Sequence, residues 1–340
     1  MLRPPSARGR TAAPPATSLL AAALLATALF ATALFAPAAP AQAAARVPFA
    51  PYVDASLYPP FPLASVAKKT GVRQFTLAFV LSGGGCAPTW GGVAGPNAVA
   101  KKIGALRKLG GDVRVSFGGA AGSELALACG SVPALTAAYE KVVRAYKLTK
   151  ADFDVEGAAL PDAAANDRRA KAVRALQKKH PKLDVSFTLP VLPSGLTADG
   201  VAFLRNLKKN KVRVGAINIM AMDYGDGAAP APKGRMGDYA IKAARSAQKQ
   251  IRKVFKVSDA TAWRHLAVTP MIGVNDVASE VFTTADARKL RAFARQKRFA
   301  WLSMWSAARD RACPGGPKAY ADPACSSIAQ APYAFMRALR

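Results

Sequence analysis

The chain has 340 residues, 51% of them hydrophobic, which is enough apolar material for one large domain or two small ones. Its formal net charge of +28 favours anionic surfaces such as acidic wall polymers, nucleic acid or lipid headgroups, and carries no information about chemistry. The basic residues are spread singly along helical stretches (Lys101, Lys102, Arg107 and Lys108; Arg168, Arg169, Lys171 and Arg174) without interleaved aromatics, which argues for a solvated outer face and against a dedicated nucleic-acid site.

Residues 1–45 differ from the rest. Arg3, Arg8 and Arg10 precede an Ala/Leu run over 18–36 and a Pro/Ala stretch ending Ala41-Gln42-Ala43-Ala44, the order of a secretory signal peptide with a small-residue cleavage site. An uncleaved membrane anchor is the competing reading, because the apolar run approaches the ~20 residues that span a bilayer. Either places residues 46–340 outside the cytoplasm, as a secreted or envelope-anchored domain. Removing the three arginines with the segment leaves +25.

The exported part is expected to contain two disulfides, since Cys86, Cys129, Cys313 and Cys325 form an even set in an oxidising compartment. Three pairings are possible. Cys313 with Cys325 is favoured because it closes a short Pro/Gly-rich segment, leaving Cys86 for Cys129; free buried thiols are the alternative. No C-x-x-C or histidine cluster accompanies these cysteines, so no metal is expected, and His180 and His265 read as surface or packing residues.

From residue 49 onward, short Val/Ile/Phe-rich runs alternate with longer amphipathic stretches, the mark of βαβ units and a parallel sheet. Strands are predicted at 49–54, 74–81, 113–117, 151–155, 184–189, 216–222, 266–272 and 299–305. Helices are predicted at 97–108, 132–146, 167–179 and 284–297, among others. Eight strands joined by crossovers specify a single α/β domain, a closed (β/α)8 TIM barrel, and a monomer is expected. A doubly wound open sheet could alternate the same way, but no G-x-G-x-x-G opens the first helix, so a nucleotide site has nothing to rest on. Two long Gly/Pro/Ala-rich connections, 83–96 and 224–236, leave the carboxyl ends of the second and sixth strands, where barrel active sites form.

The most informative segment is Asp152-Phe153-Asp154-Val155-Glu156-Gly157, at the end of the fourth strand. Strand alternation puts the three acids on one face, stepping ~6.6 Å per pair, with Phe153 and Val155 beneath the helices. Buried together, such carboxyls hold protons at raised pKa values, which suits a general acid near neutral pH. A half-exposed strand with acids facing water is the plainer reading; a calcium loop lacks the Gly and later Glu it requires.

At these positions the chain resembles the family 18 glycoside hydrolases, the chitinase family, over the region from residue 49 to about 328. Ser116-Phe117-Gly118-Gly119 resembles the family's S-x-G-G on strand three, and Asp152, Asp154 and Glu156 match the last three acids of its D-x-x-D-x-D-x-E. Met220-Ala221-Met222-Asp223-Tyr224-Gly225 resembles the strand-six motif, and Trp305 with Arg309-Asp310 the strand-eight tryptophan and its following loop.

The resemblance implies cleavage of β-1,4-linked N-acetylglucosamine by a substrate-assisted retaining mechanism without a cofactor. Glu156 would be the acid and base, and Asp154 would orient the substrate's acetamido group and stabilise its positive charge, passing a hydrogen bond between Asp152 and Glu156. Asp223 and Tyr224 would bind the acetamido group, and Trp305 would floor the sugar. Tyr52 and Trp90 are further candidate contacts, with ordinary packing as the alternative. Ser116, Gly118 and Gly119 would keep space beside the carboxylates.

Two departures stand out. Thr149 replaces the family's first Asp, removing an acid from the base of the relay, and Met222 stands where the family often has a tyrosine. Alternation places Met220, Met222 and Tyr224 on one face, so Tyr224 is expected to point inward one step higher. Within the family, a non-catalytic glycan-binding lectin or an N-glycan-releasing endo-β-N-acetylglucosaminidase are the alternative functions.

Overall fold

A computed structural model describes residues 46–92, 94–95 and 99–340; the expected export segment 1–45 and the start of the predicted helix 97–108 lie outside these. Eight parallel strands follow one another in chain order: β1 (Tyr52–Asp54), β2 (Gln74–Ser82), β3 (Asp112–Gly118), β4 (Lys150–Asp154), β5 (Asp184–Pro190), β6 (Ala216–Ala221), β7 (Leu266–Pro270) and β8 (Trp301–Leu302). The sheet closes on itself. Ala50 N donates to Leu302 O at 3.0 Å, Tyr52 N to Met304 O at 3.1 Å and Leu302 N to Pro48 O at 2.9 Å, joining the first strand to the last. This is the (β/α)8 barrel expected from the alternation.

The two sides of the sheet differ as strand periodicity requires. Outward residues meet the helices in an aromatic row. Phe117, Phe153 and Phe187 stack at 5.2 and 5.5 Å, with Tyr139 edge-on to Phe153 and Phe203 edge-on to Phe187. The inward residues of the same strands are polar and buried: Ser116, Asp152, Asp154, Ser186, Thr188, Asn218 and Thr269. Burying so many polar groups is tolerable only where they satisfy one another, and their hydrogen bonds build the site described below.

Helix starts follow their sequence signals. Ser131, Asp162, Thr197 and Ser258 accept from backbone N–H groups at the heads of Val132–Ala145, Ala163–Lys179, Ala198–Lys209 and Asp259–Arg264, and Thr283 with Asp286 forms a reciprocal capping box.

Several predicted boundaries move: the first and eighth strands shorten to Tyr52–Asp54 and Trp301–Leu302, and the helix predicted from 167 begins at Ala163. The connection after β2 contains a further strand, Pro88–Trp90, pairing antiparallel with β2. The seventh strand ends at Pro270, and the chain instead forms a small hairpin of Gly273–Val274 with Val281–Phe282. Both favoured disulfides are present. Cys86–Cys129 ties the loop after β2 to the loop after β3, and Cys313–Cys325 closes the segment after β8. Among the described residues the group closest to a metal ligand set is Cys313, Asp322 and Cys325, and its two sulfurs are bonded to each other.

Candidate active site

The carboxyl ends of the barrel strands surround a cavity of about 230 Å³. Asp154 and Glu156 come from β4 and its extension, with Tyr52, Phe79 and Trp305 forming an aromatic wall from β1, β2 and the residues after β8. Met220, Met222 and Asp223 from the end of β6, with Thr269, Met271 and Asp276 around β7, line the other side. Phe79 stacks on Trp305 at 5.6 Å, and Tyr52 meets Trp305 edge-on at 6.0 Å.

The three acids of β4 sit in three different environments. Deepest is Asp152. Four hydroxyls converge on it: Tyr52 Oη at 3.0 Å, Ser116 Oγ at 2.7 Å and Thr188 Oγ1 at 2.9 Å donate to Oδ2, and Ser186 Oγ at 2.5 Å donates to Oδ1. That matches the acceptor capacity of a carboxylate. A further layer supports it, since Asn218 Nδ2 donates to Thr188 Oγ1 at 3.0 Å and Thr269 Oγ1 donates to Asn218 Oδ1 at 2.9 Å.

Asp154, one step higher, is also buried, and its Oδ1 has no partner among the described residues. Burial, then the charges of Glu156, Asp152 and Glu124, push its carboxyl well above the usual range, favouring the protonated form. Glu156 stands at the cavity, half-buried. Burial, followed by the nearby charge of Asp223, raises it to about 7. Asp223 is itself raised by burial, partly offset by the hydrogen bond that its Oδ1 accepts from Val277 N at 2.9 Å.

The glycines at the end of β3 make this packing possible. A Cβ on Gly118, at φ +101°, would lie 2.1 Å from the carbonyl oxygen of Asp154; one on Gly119, at φ +96°, would lie 2.9 Å from the Phe79 ring. Gly119 N donates to Asp154 O at 3.1 Å, so the two strands approach closely where the acid leaves the ladder. Nearby, buried Arg169 donates to both carboxylate oxygens of Glu124 and pins the loop that follows.

Three expectations need correction. Trp90 is not at the site: it is buried, its Nε1 donates to Tyr146 Oη at 2.7 Å, and the antiparallel strand carrying it packs that ring into the core. Tyr224 does not line the cavity. The strand geometry of β6 ends at Ala221 and Asp223 takes a left-handed φ of +50°, so period-two alternation fails there. Asp223 turns toward the cavity, while Tyr224 packs against Tyr239 with its hydroxyl buried and without a partner among the described residues. Thr149 is exposed at the amino end of β4, where its Oγ1 donates to Asp112 Oδ2 at 3.2 Å, so its replacement of an acid takes nothing from the carboxylate row.

Glu156, Asp154, Asp223, Met222, Trp305 and Tyr52 line the cavity, Asp152 lies beneath it, and Ser116, Gly118 and Gly119 support the row. Sequence reasoning missed Phe79 and Asp276, which line the wall, and the Ser186, Thr188, Asn218 and Thr269 network. The network had a legible signal: Ser186 and Thr188 stand two apart, alternating with Val185, Phe187 and Leu189. Phe79 carried none. Arg309 serves the frame, donating to Ile272 O at 2.9 Å, Val274 O at 2.5 Å and Asp322 O at 3.0 Å.

Fold and cavity together define a (β/α)8-barrel protein with a carboxylate-lined, aromatic-walled site at the carboxyl ends of its strands. No family model matches the chain. It is 38% identical over 290 residues to a probable bifunctional chitinase/lysozyme of Escherichia coli K12, a match covering 82% of this chain and 32% of that protein. It is 36% identical over 282 residues to Endochitinase 11 of Metarhizium anisopliae, covering 80% and 54%. The chain thus spans about a third and about half of the lengths of these two relatives. A solved structure of catalytic-site mutants of active domain 2 of the thermostable chitinase from Pyrococcus furiosus, complexed with chito-oligosaccharides, superposes with a TM-score of 0.78 at 34% identity, covering 86% of this chain and 92% of that one. The chain belongs to glycoside hydrolase family 18, the chitinase family.

Proposed function

We propose that the protein hydrolyses β-1,4 linkages of N-acetylglucosamine polymers, chitin or chito-oligosaccharides, by a substrate-assisted retaining mechanism. The observation that carries this reading is the graded row of acids under an aromatic wall: hydroxyl-bound Asp152, buried Asp154 whose Oδ1 has no partner among the described residues, and Glu156 held near pKa 7 at the cavity. The names of the relatives and the chito-oligosaccharides in the Pyrococcus complex support the substrate class.

Glu156 gives its proton to the glycosidic oxygen, and the C1–O bond breaks with its electron pair leaving on that oxygen. The carbonyl oxygen of the sugar's own acetamido group attacks C1 from the opposite side, forming a cyclic oxazolinium ion. Asp154 takes a hydrogen bond from the acetamido N–H and faces the positive charge, above Asp152, whose oxygens are held by four hydroxyls. Glu156, now ionised, removes a proton from the water that opens the ring, and configuration at C1 is retained. The nucleophile comes from the substrate, so the site needs no second catalytic carboxylate at attacking distance. Trp305, Phe79 and Tyr52 present apolar faces to the C–H face of a pyranose. Export of the domain belongs to the same reading, and two disulfides agree with an oxidising compartment.

The test is fluorophore release from N-acetylchitobiose and N-acetylchitotriose glycosides by the protein and by Glu156→Gln, with de-N-acetylated analogues alongside. Loss of the acid should lower kcat by about 10²- to 10⁴-fold, and the analogues should not turn over. A protein that is inert yet binds chitin would instead be lectin-like; turnover of the de-N-acetylated glycosides would overturn the substrate-assisted step.

A further inference from the structure

On the outside of the barrel, helices Ala198–Lys209 and Met236–Phe255 flank a hollow of about 690 Å³ lined by Arg205, Lys208, Lys209 and Lys253. A second hollow of about 420 Å³ shares Lys253 and adds Lys249, Arg252 and Lys256. All seven cations are exposed. No carboxylate lines either hollow, and among the described residues none of the seven forms a salt bridge. Lys208 Nζ donates to Val254 O at 2.7 Å, which fixes one wall. Cations in the last turns of the two helices complement the helix dipoles. That effect reaches only the final turn, and Arg205 and Lys249 lie further back.

We propose that this double hollow is a binding site for a linear polyanion that carries phosphates but no nucleobases, distinct from the catalytic cavity. Three observations select the occupant. The lining holds no aromatic side chain on which a nucleobase could stack, so the ligand is read through its phosphates. The surface is concave and contains none of the exposed large apolar residues (Tyr58, Leu127 and Tyr320) that could enter a bilayer, so a chain fits better than a membrane. The cations cluster toward the carboxyl ends of two helices that run back from the catalytic face, at the opposite end of the barrel, so an anchored protein keeps its cavity open to solvent.

The probe is linear inorganic polyphosphate, with single-stranded DNA and anionic vesicles as comparators, titrated at 50 to 200 mM salt. The triple variant Arg205→Gln/Lys249→Gln/Lys253→Gln is compared with Lys68→Gln/Lys101→Gln/Lys141→Gln, which removes the same charge from exposed positions elsewhere. The hollow triple should weaken polyphosphate binding about tenfold or more and reduce the slope of log affinity against log salt by about 2. The control triple should change affinity less than twofold, with glycoside hydrolysis unchanged in both. Equal weakening by the two triples would reduce the site to a diffuse field. Tighter binding of DNA or vesicles than of polyphosphate, or competition between polyphosphate and chito-oligosaccharide, would equally overturn the proposal. The double variant Arg205→Gln/Lys253→Gln serves if the triple does not fold.

Discussion

Replacing Glu156 with Gln should stabilise the fold by an amount that is absent near pH 4 and grows as pH rises to neutrality. Burial and Asp223 raise this carboxyl from 4.5 to about 7. The folded state therefore holds the proton more tightly than the unfolded chain does, and the contribution is fully present below pH 4.5. It is lost as pH rises through the window to about 7, because ionisation is then disfavoured only in the folded state. At about 1.4 kcal/mol per tenfold change, the loss amounts to roughly 3 kcal/mol by pH 8. Gln has no such penalty and nearly the same shape. The melting temperatures of the two proteins, with disulfides intact, should coincide near pH 4 and separate in favour of the variant by about 5 °C at pH 8, from the usual entropy scaling for a domain of this size. A gap that does not widen with pH, or a variant that is less stable at pH 8, would refute the argument that this cavity strains its acid.

The same protonation sets the pH profile: kcat/KM should fall about tenfold per pH unit above pH 7, where Glu156 loses its proton, and a plateau to pH 9 in the glycoside assay would contradict its role as donor. Gly118→Ala places a methyl 2.1 Å from Asp154 O on backbone at φ +101°, so kcat should drop at least about tenfold with a lower melting temperature. Wild-type kinetics in that variant would show that the acid row tolerates displacement. Tyr224→Phe should leave kcat and KM within about twofold, because the hydroxyl it removes lies outside the cavity. A large loss of kcat would restore the tyrosine to the acetamido site.

The barrel and its acid row were legible because both depend on period-two alternation within regular strands. Asp152, Asp154 and Glu156 share a face for the same reason that Phe153 joins Phe117 and Phe187 beneath the helices. The disulfides were legible from spacing and compartment. What stayed hidden lies where the backbone leaves the strand. Phe79 reaches the wall from a strand whose register with β3 shifts between Leu77 and Val80, and no residue pattern announces that shift. Trp90 occupies a loop by composition, but the structure pairs it antiparallel with β2 and buries its ring.

The exit of β6 shows how a motif can match while its residues exchange positions. The Met222-Asp223-Tyr224 run resembles the family's strand-six segment, and extended geometry would have carried Tyr224 to the cavity and Asp223 to the helices. One residue at φ +50° reverses that outcome. Asp223 reaches the cavity, close enough for its charge to help raise Glu156. Tyr224 packs instead on Tyr239, and the backbone N–H of Gly225 donates to buried Glu280 at 2.8 Å, holding the turn. The residue that tunes the proposed acid is thus placed by backbone conformation rather than by side-chain alternation. Asp is among the few non-glycine residues that enter the left-handed region at modest cost, which makes Asp223 suited both to the turn and to the charge it delivers.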